Sequence, residues 1–307
     1  RLRLLQGEFP EAWTDYEFRR QKSDFVQSHQ DRPCWDGAPL DGKTILLHPE
    51  QGLGDTIHFI RYAALVKQRG GNVVFECPAA LARLLSGVAG IDQLVAAGTP
   101  PPPFDVQASL LSLPNIFATT LATVPAAVPY LRADAVLAEH WRNELAPLDG
   151  FRIGIAWQGN IQHAGDRYRS FPLRHLEPLA RMAGVKLVSL QKGQGTEQLR
   201  GQFPILDLGD RLDAAGAFLD TAAIMMNLDL VITVDSAVAH LAGALAVPVW
   251  VALSIAPDWR WLLERADSPW YPTMRLFRQQ RFGDWNDVFE RIHKELALRY
   301  ADQHRNA

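Results

Sequence analysis

The chain reads as an α/β protein of two Rossmann-like units facing across a cleft, preceded by a short helical segment. Three observations carry that reading. Short apolar runs alternate with amphipathic or small-residue stretches of helical spacing, as in parallel strands joined by crossover helices. The length, 307 residues, exceeds what one core usually organises and implies two domains of roughly 100 to 150 residues each. Glycine-rich and polar segments recur at the carboxyl ends of the predicted strands, where open parallel sheets bind ligands.

Residues 1–30 predict a helical stub. Leu4 and Leu5 close one helix, Gly7 makes a turn, and Phe9, Trp13 and Tyr16 follow on a second helix at four- and three-residue spacing. The pattern resembles the end of a tetratricopeptide array. Such arrays bury their faces by stacking about three or more units, so further repeats are expected upstream of residue 1. Within the chain given, the stub has to cover the next domain.

That domain is expected over 42–140. It has strands at 43–48 and 72–77, a helix at 56–69, a helical segment at 79–85 and a short strand at 93–95. Pro100 to Pro103 fit neither helix nor sheet and mark a loop, after which 104–113 returns to the sheet. A hinge is expected between 130 and 150. The second domain, 150–275, has strands at 152–157, 185–190, 205–208, 230–234 and 248–253, with helices at 172–182, 196–202, 214–227 and 237–246. A last helix within 284–307 is long enough to cross back onto the first domain.

Composition narrows the function. Thirty-one Lys and Arg against 34 Asp and Glu give a net charge of −3 and no basic field, which argues against nucleic acid or an anionic membrane as partner. No apolar run reaches the roughly 18 residues of a membrane span, and no signal-peptide pattern opens the chain, so a cytoplasmic protein without a transmembrane segment is expected. Cys34 and Cys77 are widely separated and lack ligand-like neighbours; two reduced thiols are expected, with neither disulfide nor zinc.

The most informative segment is 230–246, an apolar strand running into a small-residue helix through Asp235, Ser236 and Ala237. Ser236 is the expected N-cap. The first turn of such a helix has unpaired amides and partial positive charge, and so holds an anion without metal. His240, one turn in, is placed to add a hydrogen bond. The alternative is an ordinary capped connection with a buried histidine. In the first domain, Gln51, Gly52 and Gly54 let backbone approach a ligand and Asp55 opens the following helix; the alternative is a tight turn with Asp55 as a cap. The third glycine of a dinucleotide fingerprint is missing. Gln158 and Asn160 follow the first strand of the second domain, and Arg169 and Lys192 emerge on the same rim as Ser236. Those cations suit a leaving diphosphate, the competing assignment being solvated loop charges. Asp258, Trp259 and Arg260 follow the last predicted strand as candidate donor or acceptor contacts, with packing under the loop as the alternative for the tryptophans.

Gln51-Gly-Leu-Gly-Asp55, Gly154-Ile-Ala-Trp-Gln-Gly159, Ser189-Leu-Gln-Lys192, Asp220-Thr-Ala-Ala223 and the run from Asp229 to His240 together resemble the glycosyltransferase module attached to bacterial tetratricopeptide-repeat proteins. That module is similar to the heptosyltransferase-like family 9 glycosyltransferases. The stretches from Pro257 to Leu263 and from Ser268 to Pro272 match the repeat-linked branch better than the heptosyltransferases. The resemblance runs from about Lys43 to Ile292. It implies a B-type glycosyltransferase fold, with the acceptor against the first domain and a nucleotide-sugar donor as substrate in the second. It further implies inverting transfer to a protein or glycan acceptor, no metal or other cofactor, recruitment of the acceptor by upstream repeats, and Asp55 as general base. Gln158 and Asn160 depart from the heptosyltransferases and argue against heptose and a lipid-core acceptor.

Overall fold

A computed structural model describes residues 1–22, 28–29, 31–201 and 203–305. Residues 23–27 and 30 of the predicted stub, the final position of the predicted 196–202 helix, and residues 306–307 of the predicted last helix lie outside them.

Two short helices open the chain, α1 (Leu2–Gln6) and α2 (Phe9–Glu17). The first α/β unit follows as β1 (Thr44–His48), α3 (Leu53–Phe59), α4 (Ala63–Lys67), β2 (Asn72–Cys77), β3 (Gln93–Ala96), β4 (Val106–Ser109) and α5 (Leu113–Ile116). Its strands are parallel in the order β3-β2-β1-β4. The connector holds α6 (Ala135–Leu145). The second unit runs β5 (Phe151–Ala156), α7 (Asp166–Arg169), α8 (Glu177–Ala180), β6 (Val185–Ser189), α9 (Leu219–Met225), β7 (Leu230–Val234), α10 (Ala237–Ala244), β8 (Val249–Leu253), β9 (Met274–Arg278) and α11 (Trp285–Arg305). Its strands too are parallel, in the order β6-β5-β7-β8-β9.

Strands buried on both faces read as continuous apolar runs, and alternation sends neighbouring residues to different cores. Leu46 packs with Val74 and Val95, while Ile45 and Leu47 face the opposite way. In the second sheet Ile232 and Val234 belong to one core, and Val231, Val249 and Val251 to another. The latter core also contains Ile45, Leu47, the stub residues Leu4, Phe9 and Trp13, and Trp259 and Trp270 from the long β8–β9 connection. A single apolar core therefore joins stub, first unit and second unit.

Both strand orders reverse direction at their first strand, leaving crevices beyond the carboxyl ends of β1 and β4 and of β5 and β7. Open parallel sheets bind ligands at such switch points. The predicted loops at 50–55, 157–160 and 235–237 all begin there.

The predicted 196–202 helix is a 3-10 turn at Thr196–Leu199, and four further details differ from the sequence reading. Residues 205–208 contribute only a bridge from Leu206 to Val188, since Asp207 turns its carboxylate onto the Gly209 amide at 2.9 Å. The predicted 56–69 helix begins at Leu53 and is interrupted by a 3-10 turn at Ile60–Tyr62. An additional edge strand, β9, was hidden by Arg275 and Arg278, which break its apolar run. The last helix, expected to cross back to the first domain, packs among the described residues on the second sheet. Its Val288, Phe289, Ile292 and Leu296 pack with Phe171, Trp250 and Phe277, because the outer face of the second sheet needs an apolar cover.

Candidate functional site

A cavity of about 1040 Å³ opens where the carboxyl ends of the two sheets meet, lined by the loops after β1, β5, β6, β7 and β8. Its volume is that of a site for a cofactor-sized ligand. Gln51, Gly52, Gly54, Asp55, Gln158, Arg169, Lys192, Asp235, Ser236, Ala237, His240, Asp258, Trp259 and Arg260 all line it. The structure thus brings every singled-out residue to one wall or another, although several have their polar atoms engaged elsewhere.

The loop after β7 delivers the amino end of α10. Ser236 is its N-cap with extended backbone, yet its hydroxyl makes no cap bond and Oγ is buried without a partner among the described residues. Ala237 and Val238 begin the helix on the cavity wall, where backbone N–H groups and the helix dipole favour an anion. Burial, reinforced by the neighbouring Asp258, pushes the Asp235 carboxyl up to about 6. The Asp235 carbonyl accepts from Arg169 Nη1 at 2.8 Å.

His240 is 5% exposed and lies flat on Trp261, with ring centroids 5.3 Å apart. Its Nδ1 is 3.0 Å from Tyr271 Oη. Burial, with Arg260 and Arg61 nearby, holds the imidazole well below the usual histidine range, so the ring is neutral at pH 7. Gly54 of the opposite unit sits against this helix: a Cβ there would lie 3.2 Å from both Ala237 Cα and His240 Cδ2. The close approach that Gly54 permits is therefore between the two halves of the protein.

Asp55 is held from two sides. Oδ2 accepts from the Gly52 amide at 3.0 Å, the cap expected as the alternative, and Oδ1 accepts from Arg260 Nη2 at 2.5 Å. Arg260 Nη1 donates to Asp258 Oδ1 at 2.7 Å. The guanidinium is buried between the Trp259 and Phe59 rings, 4.5 and 5.1 Å from their centroids. Burial opposes its charge, but Asp258 and Asp55 outweigh that and raise its pKa. Arg260 is thus a bridge between the units. Trp259 serves as a packing anchor, 5.2 Å from Trp13 and 6.3 Å from Phe59 between ring centroids.

On the remaining wall, Arg169 Nε is tied to Asp166 Oδ1 at 2.9 Å. Lys192 Nζ donates to the carbonyls of Leu212 and Asp213 at 2.5 and 2.9 Å, and Thr221 holds the same turn through Asp213. Asp220 accepts from Trp141 Nε1 at 2.8 Å and so secures α6 to α9. Sequence reasoning missed Gln191, which accepts from the Trp157 and Gln158 amides at 3.1 Å each and donates to the Gln158 carbonyl at 3.0 Å. It also missed Asp166, whose Oδ2 accepts from Ser170, and the share of α1, whose Leu2 and Leu5 line the cavity. Its position at a strand end and within the Ser189-Leu-Gln-Lys192 run marked Gln191 beforehand, without assigning it a role. Among the described residues no three or more His, Cys, Asp or Glu gather as a metal site, and no helix is long and apolar enough to cross a membrane.

Comparison with known proteins assigns this architecture to a class. No protein-family model matches the chain. Its fold is similar to that of the family 9 glycosyltransferases. ADP-heptose lipopolysaccharide heptosyltransferase II of E. coli superimposes with a TM-score of 0.62 at 13% identity, over 85% of this chain and 99% of that one. A family 9 glycosyltransferase of Veillonella parvula gives 0.59 at 11% identity, over 82% and 92%. The dodecameric iron-containing glycosyltransferase TibC of enterotoxigenic E. coli gives 0.52 at 13% identity, over 81% and 66%. In sequence, Protein FlbA of Caulobacter vibrioides is 27% identical over 317 residues, 94% of this chain and 52% of FlbA. The chain spans about half the length of that curated relative.

Proposed function

We propose that this chain is an inverting, metal-independent glycosyltransferase of the B-type fold, moving a sugar from a nucleotide-sugar to a hydroxyl of a protein or glycan acceptor. The observation that carries this reading is that the open amino end of α10, with a Ser236 hydroxyl that has no partner among the described residues, lines the same cavity as Asp55 on the opposite unit. One end offers a place for a diphosphate and the other a carboxylate for the acceptor.

In this reading the donor lies against residues 150–275. The Ala237 and Val238 amides, Ser236 and His240 receive the diphosphate, and Gln158, Arg169 and Lys192 frame the rest of it. Asp55 takes the proton from the acceptor hydroxyl while its oxygen bonds to the sugar's anomeric carbon; the bond to the diphosphate breaks, and the nucleoside diphosphate leaves with the electron pair. The acceptor approaches over residues 42–140, with the stub helices as one wall. If the stub is the end of a tetratricopeptide array, upstream repeats recruit that acceptor. Gln51, Gly52 and Asp258 bound the space between the substrates.

One observation favours a second reading, a non-catalytic nucleotide-binding or scaffold module: both oxygens of Asp55 are already engaged, by the Gly52 amide and by Arg260. Titration calorimetry and one substitution separate the two. UDP, ADP and GDP are titrated with magnesium and then with chelator, and we expect at least one to bind equally in both; binding abolished by chelator would overturn the metal-free site. With the nucleotide-sugar of the base that binds, Asp55→Asn is expected to keep donor affinity and lose about 100- to 10,000-fold in sugar release or transfer. Retained rate, or a loss that only follows a fallen melting temperature, would select the scaffold reading.

A further inference from the structure

The Tyr271 hydroxyl stands between two imidazoles, with His58 Nδ1 at 2.9 Å and His240 Nδ1 at 3.0 Å. His58 comes from α3 of the first unit and His240 from α10 of the second. Tyr271 and His58 are fully buried. The phenol ring reaches this place because residue 243 is glycine: a Cβ there would lie 2.3 Å from Tyr271 Cδ1. Burial holds both histidines well below their usual range and the tyrosine well above its own, so two neutral imidazoles and one protonated phenol share the site.

A neutral imidazole carries its proton on either Nδ1 or Nε2. His58 Nε2 is buried with no partner among the described residues. An N–H stranded there would cost more than a stranded lone pair, so the His58 proton sits on Nδ1 and is donated to Tyr271 Oη. Tyr271 must then donate onwards. His240 Nδ1 at 3.0 Å is a better acceptor than Tyr130 Oη at 3.4 Å, which already receives Arg61 Nη2 at 2.9 Å. With Nδ1 accepting, the His240 proton is on Nε2, the ring nitrogen left for the cavity that His240 lines.

We propose that His58 and Tyr271 are positioning residues that fix His240 as its Nε2–H tautomer, so that a neutral histidine presents a hydrogen-bond donor to a phosphate oxygen of a nucleoside diphosphate. The ligand rests on the donor-site reading above; the tautomer is a property of the free protein. The donor needs no charge on His240. It cannot reverse without stranding an N–H on His58.

The test is long-range 1H–15N correlation on protein labelled with 15N-histidine at pH 7.5, assigned with His58→Gln and His240→Gln. The expected spectrum has His240 protonated on Nε2 and His58 on Nδ1; either ring in the other tautomer overturns the proposal. Tyr271→Phe, which removes only the hydroxyl, is expected to shift His240 towards a tautomer mixture and weaken binding of whichever of UDP, ADP and GDP the wild-type protein takes about 3- to 10-fold, the loss of one hydrogen bond. An unchanged His240 spectrum in that variant overturns the relay. Should none of UDP, ADP and GDP bind the wild-type protein, the donor reading falls, and the wild-type tautomers still decide the relay. They also decide it should Tyr271→Phe fail to fold.

Discussion

At the scale of single residues, the site is governed by charges held in direct contact. Arg260 carries one positive charge between Asp55 and Asp258, so losing it would leave two carboxylates facing each other across the unit boundary. The Asp235 carboxyl is pushed up to about 6 by burial first and Asp258 second, with the Trp261 side chain, Arg169 and Arg260 acting in the opposite direction. The sign follows from proton binding. Between the ordinary carboxylate value of 3.8 and about 6 the folded state holds the Asp235 proton more tightly than the unfolded chain, so stability falls as pH rises through that window and the cost is complete above it. Asp235→Asn removes the charge and keeps the shape. Its melting temperature relative to wild type is expected to be near zero difference at pH 4 and clearly positive at pH 7.5 by differential scanning calorimetry; an equal difference at both would contradict the shift.

At the scale of elements, the stub is part of the fold. Phe9, Trp13 and Tyr16 insert between the units and meet Trp259 and Trp270, with Phe59 of the first unit stacked on Trp259, and Trp13 Nε1 donates to the Thr119 carbonyl at 2.8 Å. Arg19 follows with a two-pronged contact to Glu50, at 2.6 and 2.8 Å, at the end of β1. Trp13 is 1% exposed, so Trp13→Ala empties a well-packed site and is expected to cost about 3–5 kcal/mol in urea unfolding. A cost below about 1 kcal/mol, the level of a surface change, would mean that the stub rests on the domains without being needed by them. The aromatic spacing of α2 was legible in sequence. The partners were not, since Trp259 and Trp270 lie about 250 residues away and their own local pattern fits packing and ligand contact equally well.

At the scale of the whole molecule, the two units are welded by buried polar groups as well as by apolar core. The Arg61 guanidinium, 6% exposed, donates to the His58 carbonyl at 2.8 Å, the Trp270 carbonyl at 2.7 Å and the Tyr130 hydroxyl at 2.9 Å. One side chain of the first unit thereby fixes the connector and the β8–β9 connection. The intact protein is expected to unfold in one calorimetric transition. Arg61→Leu removes the donor to these three acceptors, at about 1–3 kcal/mol for each buried group left unsatisfied, and is expected to separate the melting of the units into two steps. One undivided transition at an unchanged temperature would show that the apolar core alone couples them.

The sequence by itself determined the α/β class, the order of nearly all strands and the loops that carry the polar groups, because strand runs, helix spacing and glycine turns are local signals. It also placed Asp55, Arg169, Lys192 and Ser236 at strand ends, where the two switch points bring them to one cavity. What it left open was which polar atoms remain free. Lys192 spends its ammonium on the 212–213 turn, Arg260 is enclosed by two carboxylates, and the Ser236 hydroxyl has no partner among the described residues. Each outcome depends on a neighbour distant in sequence, as do the turn of α11 onto the second sheet and the meeting of His58 with His240 through Tyr271. Local pattern fixes where a side chain starts; only tertiary packing fixes what it touches and whether water reaches it, and those two quantities set its hydrogen bonds, its protonation and its chemistry.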